Sequence, residues 1–238
     1  MTLNRGWWNL KTKSIYQKLI PYLTIHNLTI SIGVLMALFH LYTGIFGSLP
    51  MLQQRSVHLL FVFILVFLLY PATNDQKRGE RKTIPIHDWA LILASIVSLG
   101  YLLANYDYIV FERYWFVTPL LPIETVLGII IIGLVLETAR RTVGLFLTMV
   151  AATFILYWFI GKYLPGILYH QHLSLTMLLD MEYLSTAGIF GLPLGISATY
   201  AVLFIIFGAF MLQTGFGEFL TDVATGVTGK TRGGPAKV

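Results

Sequence analysis

The feature that most limits how this chain can fold is a series of long, uncharged and mostly apolar runs. The longest covers residues 19–54, and others cover residues 56–74, 89–106, 142–161 and 183–217. About 20 helical residues, at about 1.5 Å each, cross the roughly 30 Å hydrocarbon core of a bilayer. The runs are about twice as long as the strands of an outer-membrane barrel. The sequence therefore predicts an all-α polytopic membrane protein.

Charge content and motif content exclude several other classes of protein. Charged residues make up 11% of the chain, whereas soluble domains have about 25%, so an ordinary soluble enzyme and a disordered chain are both excluded. The absence of cysteine excludes disulfides and thiolate metal sites. The net charge of +5 comes from bases that flank apolar runs, which predicts a lipid bilayer as partner and no nucleic acid. Without a phosphate loop, a nucleophile elbow or a zinc motif, we expect no enzyme, no catalytic or metal site and no cofactor.

Six membrane spans are expected from the runs and the polar breaks between them. They lie near residues 27–46, 56–70, 89–106, 121–136, 142–161 and within 188–211. The second is expected to begin only after Arg55, and a tight polar break is expected around residues 137–141. Residues 1–26 interleave lysines with aromatic and aliphatic residues, which predicts an amphipathic helix on the membrane surface, the alternative being a disordered basic tail. The residues after Gly215 predict a second surface-lying helix.

Lysine and arginine are concentrated on alternate connections between the spans. The N-terminal segment and the loop after the second span hold four each, the break after the fourth span two, and the C-terminal tail three; these are 13 of the 16 basic residues. Each of the other three connections holds one. Because cytoplasmic segments are enriched in these residues, both termini are expected in the cytoplasm.

Four charged residues are candidates for transport or for contact between modules. Glu124, in the fourth span, could be a buried carboxylate that pairs with a base, relays a proton or helps bind a cation. The alternative is a glutamate in the first helical turn, stabilised by the helix dipole and by water. Glu137, Arg140 and Arg141 could form a module contact or a gate, or could simply anchor the topology. Glu137 and Arg141 can pair if the helix continues through them.

Two histidine pairs were considered as ligand sites. His40 and His58, on neighbouring spans, could hold a haem iron from both sides and make the chain an electron carrier. Their expected depths differ, however, so packing histidines that are hydrogen bonded are favoured. His170 and His172 lie in a predicted outer loop, where an i, i+2 pair without further ligands is a poor metal site.

A glycine- and proline-rich stretch leads into the sixth span. Gly188, Gly191, Pro193 and Gly195 would interrupt a regular helix. Transporters use interrupted helices because unwound backbone can coordinate ions or substrates. The alternative is a glycine-rich loop packed against other helices.

Most of the chain resembles fused permeases of tripartite ATP-independent periplasmic (TRAP) transporters, and the specific motifs are concentrated in its second half. The similar segments are LETARRTVG at residues 136–144, YLPG at 163–166, YLSTAGIFGLPLGISAT at 183–199, FGAF at 207–210 and RGGPAK at 232–237. The resemblance implies a four-span small module at residues 27–138, after the N-terminal segment 1–26. Residues 139–238 would then be the first two spans of the large module, which is incomplete because the chain looks truncated.

The resemblance also implies a function and partners. A permease of this kind takes up organic acids by sodium-driven secondary transport across the bacterial inner membrane. Its partners would be a periplasmic solute-binding protein and the remainder of the large module. Ala187 stands where the family often has an acidic residue, and the family's sodium-binding hairpin follows the RGG stretch, so we assign no sodium ligand in this chain. A structural membrane subunit without its own transport path is the alternative.

Overall fold

The computed structural model describes residues 6–72 and 83–228, with side chains from 25–72 and 83–226. Within these ranges the regular structure is helical and no strand occurs. Six helical segments are long and apolar enough to cross a membrane. The prediction of an all-α, multi-pass membrane protein with six spans is therefore confirmed, while the side on which the termini lie stays a prediction.

The described part of the chain contains the following α-helices. They are α1 (Gly6–Phe46), α2 (Met51–Leu69), α3 (Ile86–Ala104), α4 (Pro122–Thr142), α5 (Leu145–Ile160), α6 (Leu175–Glu182), α7 (Leu192–Ile196), α8 (Val202–Gln213) and α9 (Phe216–Thr228). A π-helical segment, Ser197–Ala201, joins α7 to α8, and these three elements form the sixth span. A second π-helical turn, Tyr108–Glu112, follows α3.

Helix α2 lies at the centre of the bundle. It packs against α1, α3, α4 and α7, and half of its most apolar stretch is buried, compared with 11% for α1, α5 and the sixth span. Phe63 and Phe67 of α2 meet Leu99 of α3 and Ile131 of α4 in the core. The apolar faces of the outer helices remain exposed, as expected where lipid rather than water surrounds the protein.

The second span begins earlier than expected. Helix α2 starts at Met51, directly after Pro50, rather than after Arg55, so the expected start was wrong. The helix accommodates Arg55 because its guanidinium donates to the Phe190 carbonyl, in a segment far along the chain. Arg55 therefore lies inside α2 and does not mark where the helix begins.

The polar break expected around residues 137–141 was also wrong. Helix α4 continues through Glu137, Arg140 and Arg141 to Thr142. The chain turns at Gly144, whose φ of 106° lies in the left-handed region that favours glycine. The expected boundary between the two modules, at residues 138 and 139, thus falls inside the last turns of α4.

The segments expected on the membrane surface are helical where they are described. Helix α1 runs without a break from Gly6 into the first span, so no turn separates the N-terminal segment from that span. Helix α9 follows Gly215, which has a φ of 70°. The basic loop at residues 73–82 and the tail from residue 229 lie outside the described residues.

Helix α6 was not anticipated from the sequence. Its N-cap is Ser174, whose hydroxyl accepts a hydrogen bond from the Met177 amide, the usual role of serine at this position. Leu178 and Leu179 are buried against the rest of the bundle. This N-cap followed by spaced leucines was the available signal.

Candidate functional site

Polar side chains on the first turns of α2 hold the start of the sixth span. We call this end of the bundle the outer end, after the orientation predicted from the charges. Gln54 donates through Nε2 to the Ala198 carbonyl at 3.1 Å and to Thr43 Oγ1 at 3.2 Å. Arg55 donates to the carbonyl of Phe190. These bonds join helices of the first half to the glycine- and proline-rich stretch of the second.

The glycines of that stretch are needed for close approach. A Cβ added at Gly195 would lie 2.6 Å from Nη2 of Arg55, one at Gly188 would lie 2.6 Å from the Met181 carbonyl oxygen, and one at Gly191 would lie 2.7 Å from another backbone oxygen. None of the three has a positive φ. Pro193 lies in the first turn of α7, where a missing N–H costs no helical bond. A part in transport for this stretch stays a prediction.

His40 and His58 meet directly within the bundle. His58 Nδ1 lies 2.9 Å from His40 Nε2, His40 Nδ1 lies 2.7 Å from the Met36 carbonyl, and His58 Nε2 lies 3.1 Å from Ser197 Oγ. The expected difference in depth was wrong, because α2 begins at Met51 and places His58 two turns inside the helix.

The spacing of these two rings does not fit the haem alternative. A metal between two imidazoles, with bonds of about 2 Å as for zinc, separates the ring nitrogens by about 4 Å. The 2.9 Å contact is instead that of a hydrogen bond. Both rings are therefore buried and hydrogen bonded, which agrees with the favoured alternative to haem ligation.

Glu124 combines features of the two roles considered for it. It lies in the first turn of α4 and accepts the Leu121 amide N–H at 2.8 Å through Oε2. It is nevertheless fully buried, and Tyr101 donates to Oε1 at 3.4 Å. Arg113 Nε lies 3.9 Å from Oε2. The carboxylate is thus a helix cap without water, close to a buried cation.

Arg113 joins the connection after α3 to helix α6. Its Nη1 pairs with Asp180 and its Nη2 donates to the Thr118 carbonyl at 3.1 Å. Asp180 also accepts the Phe116 amide N–H at 2.9 Å. Arg113, Glu124 and Asp180, which we call the outer cluster, are all buried. One guanidinium faces two carboxylates, so the cluster carries a formal charge of −1 when all three are ionised.

A second, partly buried cluster joins three helices at the opposite, inner end. Arg141 contacts Glu137 at 2.6 Å and Asp88 at 2.7 Å, and it donates to the Tyr70 carbonyl at 3.1 Å. Arg140 pairs with Glu137 at 2.7 Å. The predicted pairing of Glu137 with Arg141 is therefore present, and it ties α4 to the end of α2 and the start of α3. Whether this inner cluster also acts as a gate stays a prediction.

Sequence reasoning missed Asp88, Arg113 and Asp180. Each lies close to an apolar run, and that position was the available signal. All three are buried in ion pairs. Their partners lie 53 or 67 residues away in sequence, so no local pattern could indicate the pairing.

Two further titratable groups lie at the C-terminal end of α6, outside the spans. Burial raises the pKa of the Glu182 carboxyl, although a hydrogen bond from the Ile189 backbone opposes this. The carboxyl borders an apolar cavity of about 270 Å³ between α4 and α5. Tyr183 is fully buried and donates to the Ser98 carbonyl at 2.7 Å; burial also raises the pKa of its phenol.

The second histidine pair, His170 and His172, belongs to no group of potential metal ligands. Among the described residues, no group of three or more histidine, cysteine or acidic side chains could hold a metal. His170 contacts the carbonyls of Gln171 at 2.6 Å and Tyr157 at 3.1 Å, which links the loop to the end of α5. His172 is exposed.

Comparison with known proteins identifies the second half of the chain. Residues 130–238 match the family model of the tripartite ATP-independent periplasmic transporter, DctM component. No curated protein and no solved structure matches the chain. The matched part begins within α4 and includes the glycine- and proline-rich stretch held by α2. Residues 130–238 are therefore similar to the DctM component, a membrane component of TRAP transporters.

Proposed function

We propose that this chain is part of a sodium-driven permease that takes up organic acids in the bacterial inner membrane. Residues 27–138 act as the four-span small module, and residues 139–238 begin the large module. A periplasmic solute-binding protein delivers the substrate, and further helices of the large module complete the transport path. In this role the chain is a transporter component rather than an enzyme.

The observation that supports this proposal best is how the matched segment is held. The start of the sixth span is bonded to Gln54 and Arg55 of α2, and Asp180 of α6 is paired with Arg113. Every one of these contacts joins the family-matched segment to residues that precede it, in α2 or in the connection after α3. Buried polar contacts fix one arrangement, because breaking them leaves groups without partners. A rigid small module that orients the first large-module helices accounts for this arrangement.

The test is uptake in cells that express the chain together with the remaining helices of the large module and a solute-binding protein from the same source. Radiolabelled mono- and dicarboxylates serve as probes, with sodium exchanged for choline. We expect uptake that needs all three components and an inward sodium gradient. Uptake that does not depend on sodium would refute the coupling. Assembly without any uptake would favour a structural subunit.

A glycine variant tests whether the contact between the modules matters for that uptake. Gly195→Ala places a methyl group 2.6 Å from the Arg55 guanidinium and should lower uptake at unchanged protein level. Gly100→Ala is the matched control, because a Cβ there has no neighbour within 4 Å. Equal uptake by the two variants would remove the module contact from the mechanism.

A further inference from the structure

The two buried histidines form a hydrogen-bonded chain whose direction is fixed by its ends. The Met36 carbonyl can only accept, so His40 Nδ1 carries the hydrogen. The Nε2 of a neutral His40 then accepts from His58 Nδ1. The remaining nitrogen, His58 Nε2, has no hydrogen and accepts from the Ser197 hydroxyl. The tautomers follow from the partners, and each ring nitrogen has one.

This chain has room for one additional proton. With one added, His58 Nε2 becomes a donor to Ser197 Oγ, and the three other ring nitrogens keep their partners. The serine hydroxyl is then free to donate to a carbonyl of the preceding helical turn, a common arrangement for serine in helices. A second proton would place an N–H group of each ring face to face across the 2.9 Å contact, where neither could accept a hydrogen bond. The capacity of the pair is therefore one.

We propose that His40 and His58 form a binding site for a single proton, at the contact between the first two spans and the π-helical segment of the sixth. Binding reverses the hydrogen bond with Ser197 without moving a ring. Single π-helical turns within longer helices are frequent at functional sites, and this one carries the terminal partner of the histidine chain. The proton therefore alters the contact that joins the two halves of the chain. This inference does not rest on the proposed substrate or on sodium.

The charged groups of the surrounding helices do not engage the pair. Helices α1 and α2 pack against each other, α3, α4, α7, the π-helical segment and α8. The charged side chains described on these elements are Arg55, Asp88, Glu124, Glu137, Arg140 and Arg141. Arg55 binds the Phe190 carbonyl, and the others belong to the inner and outer clusters. Of the tyrosines, Tyr42 and Tyr200 are exposed and Tyr101 contacts Glu124, so the titration belongs to the two rings.

A route for the proton leads from the outer end. A cavity of about 160 Å³ opens there and is lined by Gln54, Arg55 and Thr199, among others. His58 lies one helical turn further in than Gln54, on the same helix. Neither histidine lines the cavity, but one helical turn, about 5.4 Å, separates Gln54 from His58 along α2.

The test is nitrogen-15 NMR of histidine-labelled full chain in lipid nanodiscs, from about pH 8 to about pH 4, which brackets the ordinary histidine pKa of about 6.5. The variants His40→Gln and His58→Gln assign the signals, and His172→Gln, at an exposed position, is the matched control. We expect one proton to be taken up by the two rings together. Two separate protons, or two rings that stay neutral until the protein unfolds, would overturn the proposal.

Ser197 supplies a second readout that a packing role would not affect. Ser197→Ala removes the hydroxyl that accepts a hydrogen bond from the protonated His58 Nε2. The pH at which the histidine pair is half protonated should therefore fall by roughly 0.5–1 unit, about a three- to tenfold loss in proton affinity. Ser197→Thr keeps the hydroxyl and should restore it. An unchanged titration in Ser197→Ala would contradict the proposal even if both histidine variants failed to fold.

Discussion

Removal of the one cation from the outer cluster should destabilise the protein strongly. Arg113→Met leaves Asp180 and Glu124 buried without a guanidinium, at exposed side-chain fractions of 3% and 0%. Removing one partner of a buried ion pair costs about 3–5 kcal/mol, mostly because the remaining charge has no compensation. We expect the free energy of unfolding to fall by that amount.

Variants of the two carboxylates should cost less, because of the excess negative charge. Asp180→Asn leaves Arg113 with Glu124 at 3.9 Å. The new side-chain amide, however, places its NH₂ group against one of the two N–H donors that Asp180 accepted from, which should lower the free energy of unfolding by about 1–3 kcal/mol. Glu124→Gln keeps an acceptor for the Leu121 amide and leaves a neutral pair, so its cost should stay below about 1 kcal/mol. Adding Glu124→Gln to Arg113→Met should therefore recover part of the loss, an interaction of about 0.5–3 kcal/mol.

The assay is equilibrium unfolding in mixed micelles, followed by tryptophan fluorescence. Glu112→Gln, an exposed carboxylate next to Arg113, is the control and should change stability by no more than about 0.5 kcal/mol. The reasoning fails if Glu124→Gln costs as much as Arg113→Met. It fails equally if the double variant is less stable than Arg113→Met alone.

Three further predictions concern other helix contacts, each measured by the same unfolding assay. In Arg141→Lys, the ammonium cannot reach the two carboxylates and the carbonyl together, so the free energy of unfolding should fall by about 1–3 kcal/mol. Arg140→Lys, at a side chain that is 37% exposed, should lower it by less than about 1 kcal/mol. Equal losses in the two variants would contradict this prediction. Gly128→Ala brings a Cβ within 3.0 Å of an α6 leucine and should cost about 1 kcal/mol or more, whereas Gly133→Ala, on an open face of α4, should be neutral or stabilising. Burial raises the pKa of Glu182, so the contribution of this carboxyl to stability is full below its unfolded pKa of about 4.3 and is lost as the pH rises through its pKa in the folded protein. Over that pH range, the free energy of unfolding of the wild type should fall relative to that of Glu182→Gln. Parallel pH profiles of the two proteins would refute this prediction.

The number of spans could be predicted from the sequence because it depends on length and polarity alone. A helix of about 20 apolar residues satisfies its own backbone, wherever its neighbours lie. The ends of the spans were less predictable. Charges at Arg55 and at Glu137 to Arg141 were expected to end helices, yet the helices continue because each charge finds a polar partner.

The candidate site could be predicted only in part, for a related reason. Glu124, Glu137 and Arg141 attracted attention because they interrupt apolar runs, and all three lie in ion pairs. The pairing of Glu137 with Arg141 was predicted from their spacing. The pairing of Arg113 with Asp180 could not be predicted, because these residues are 67 positions apart in sequence and meet only in the folded bundle. The histidine pair was noticed but placed at unequal depth, because the start of α2 had been assigned to a charge.

The arrangement of the bundle across the membrane is tested most directly by labelling single cysteines in intact cells. The chain has no cysteine of its own, so each introduced thiol reports one position. His172→Cys lies in the loop before α6, and Thr142→Cys lies at the end of α4; both positions are exposed. With a maleimide that cannot cross membranes, we predict labelling at residue 172 in intact cells and at residue 142 only after permeabilisation. The reverse pattern, or labelling of both in intact cells, would contradict the proposed orientation and the outer position of the histidine site.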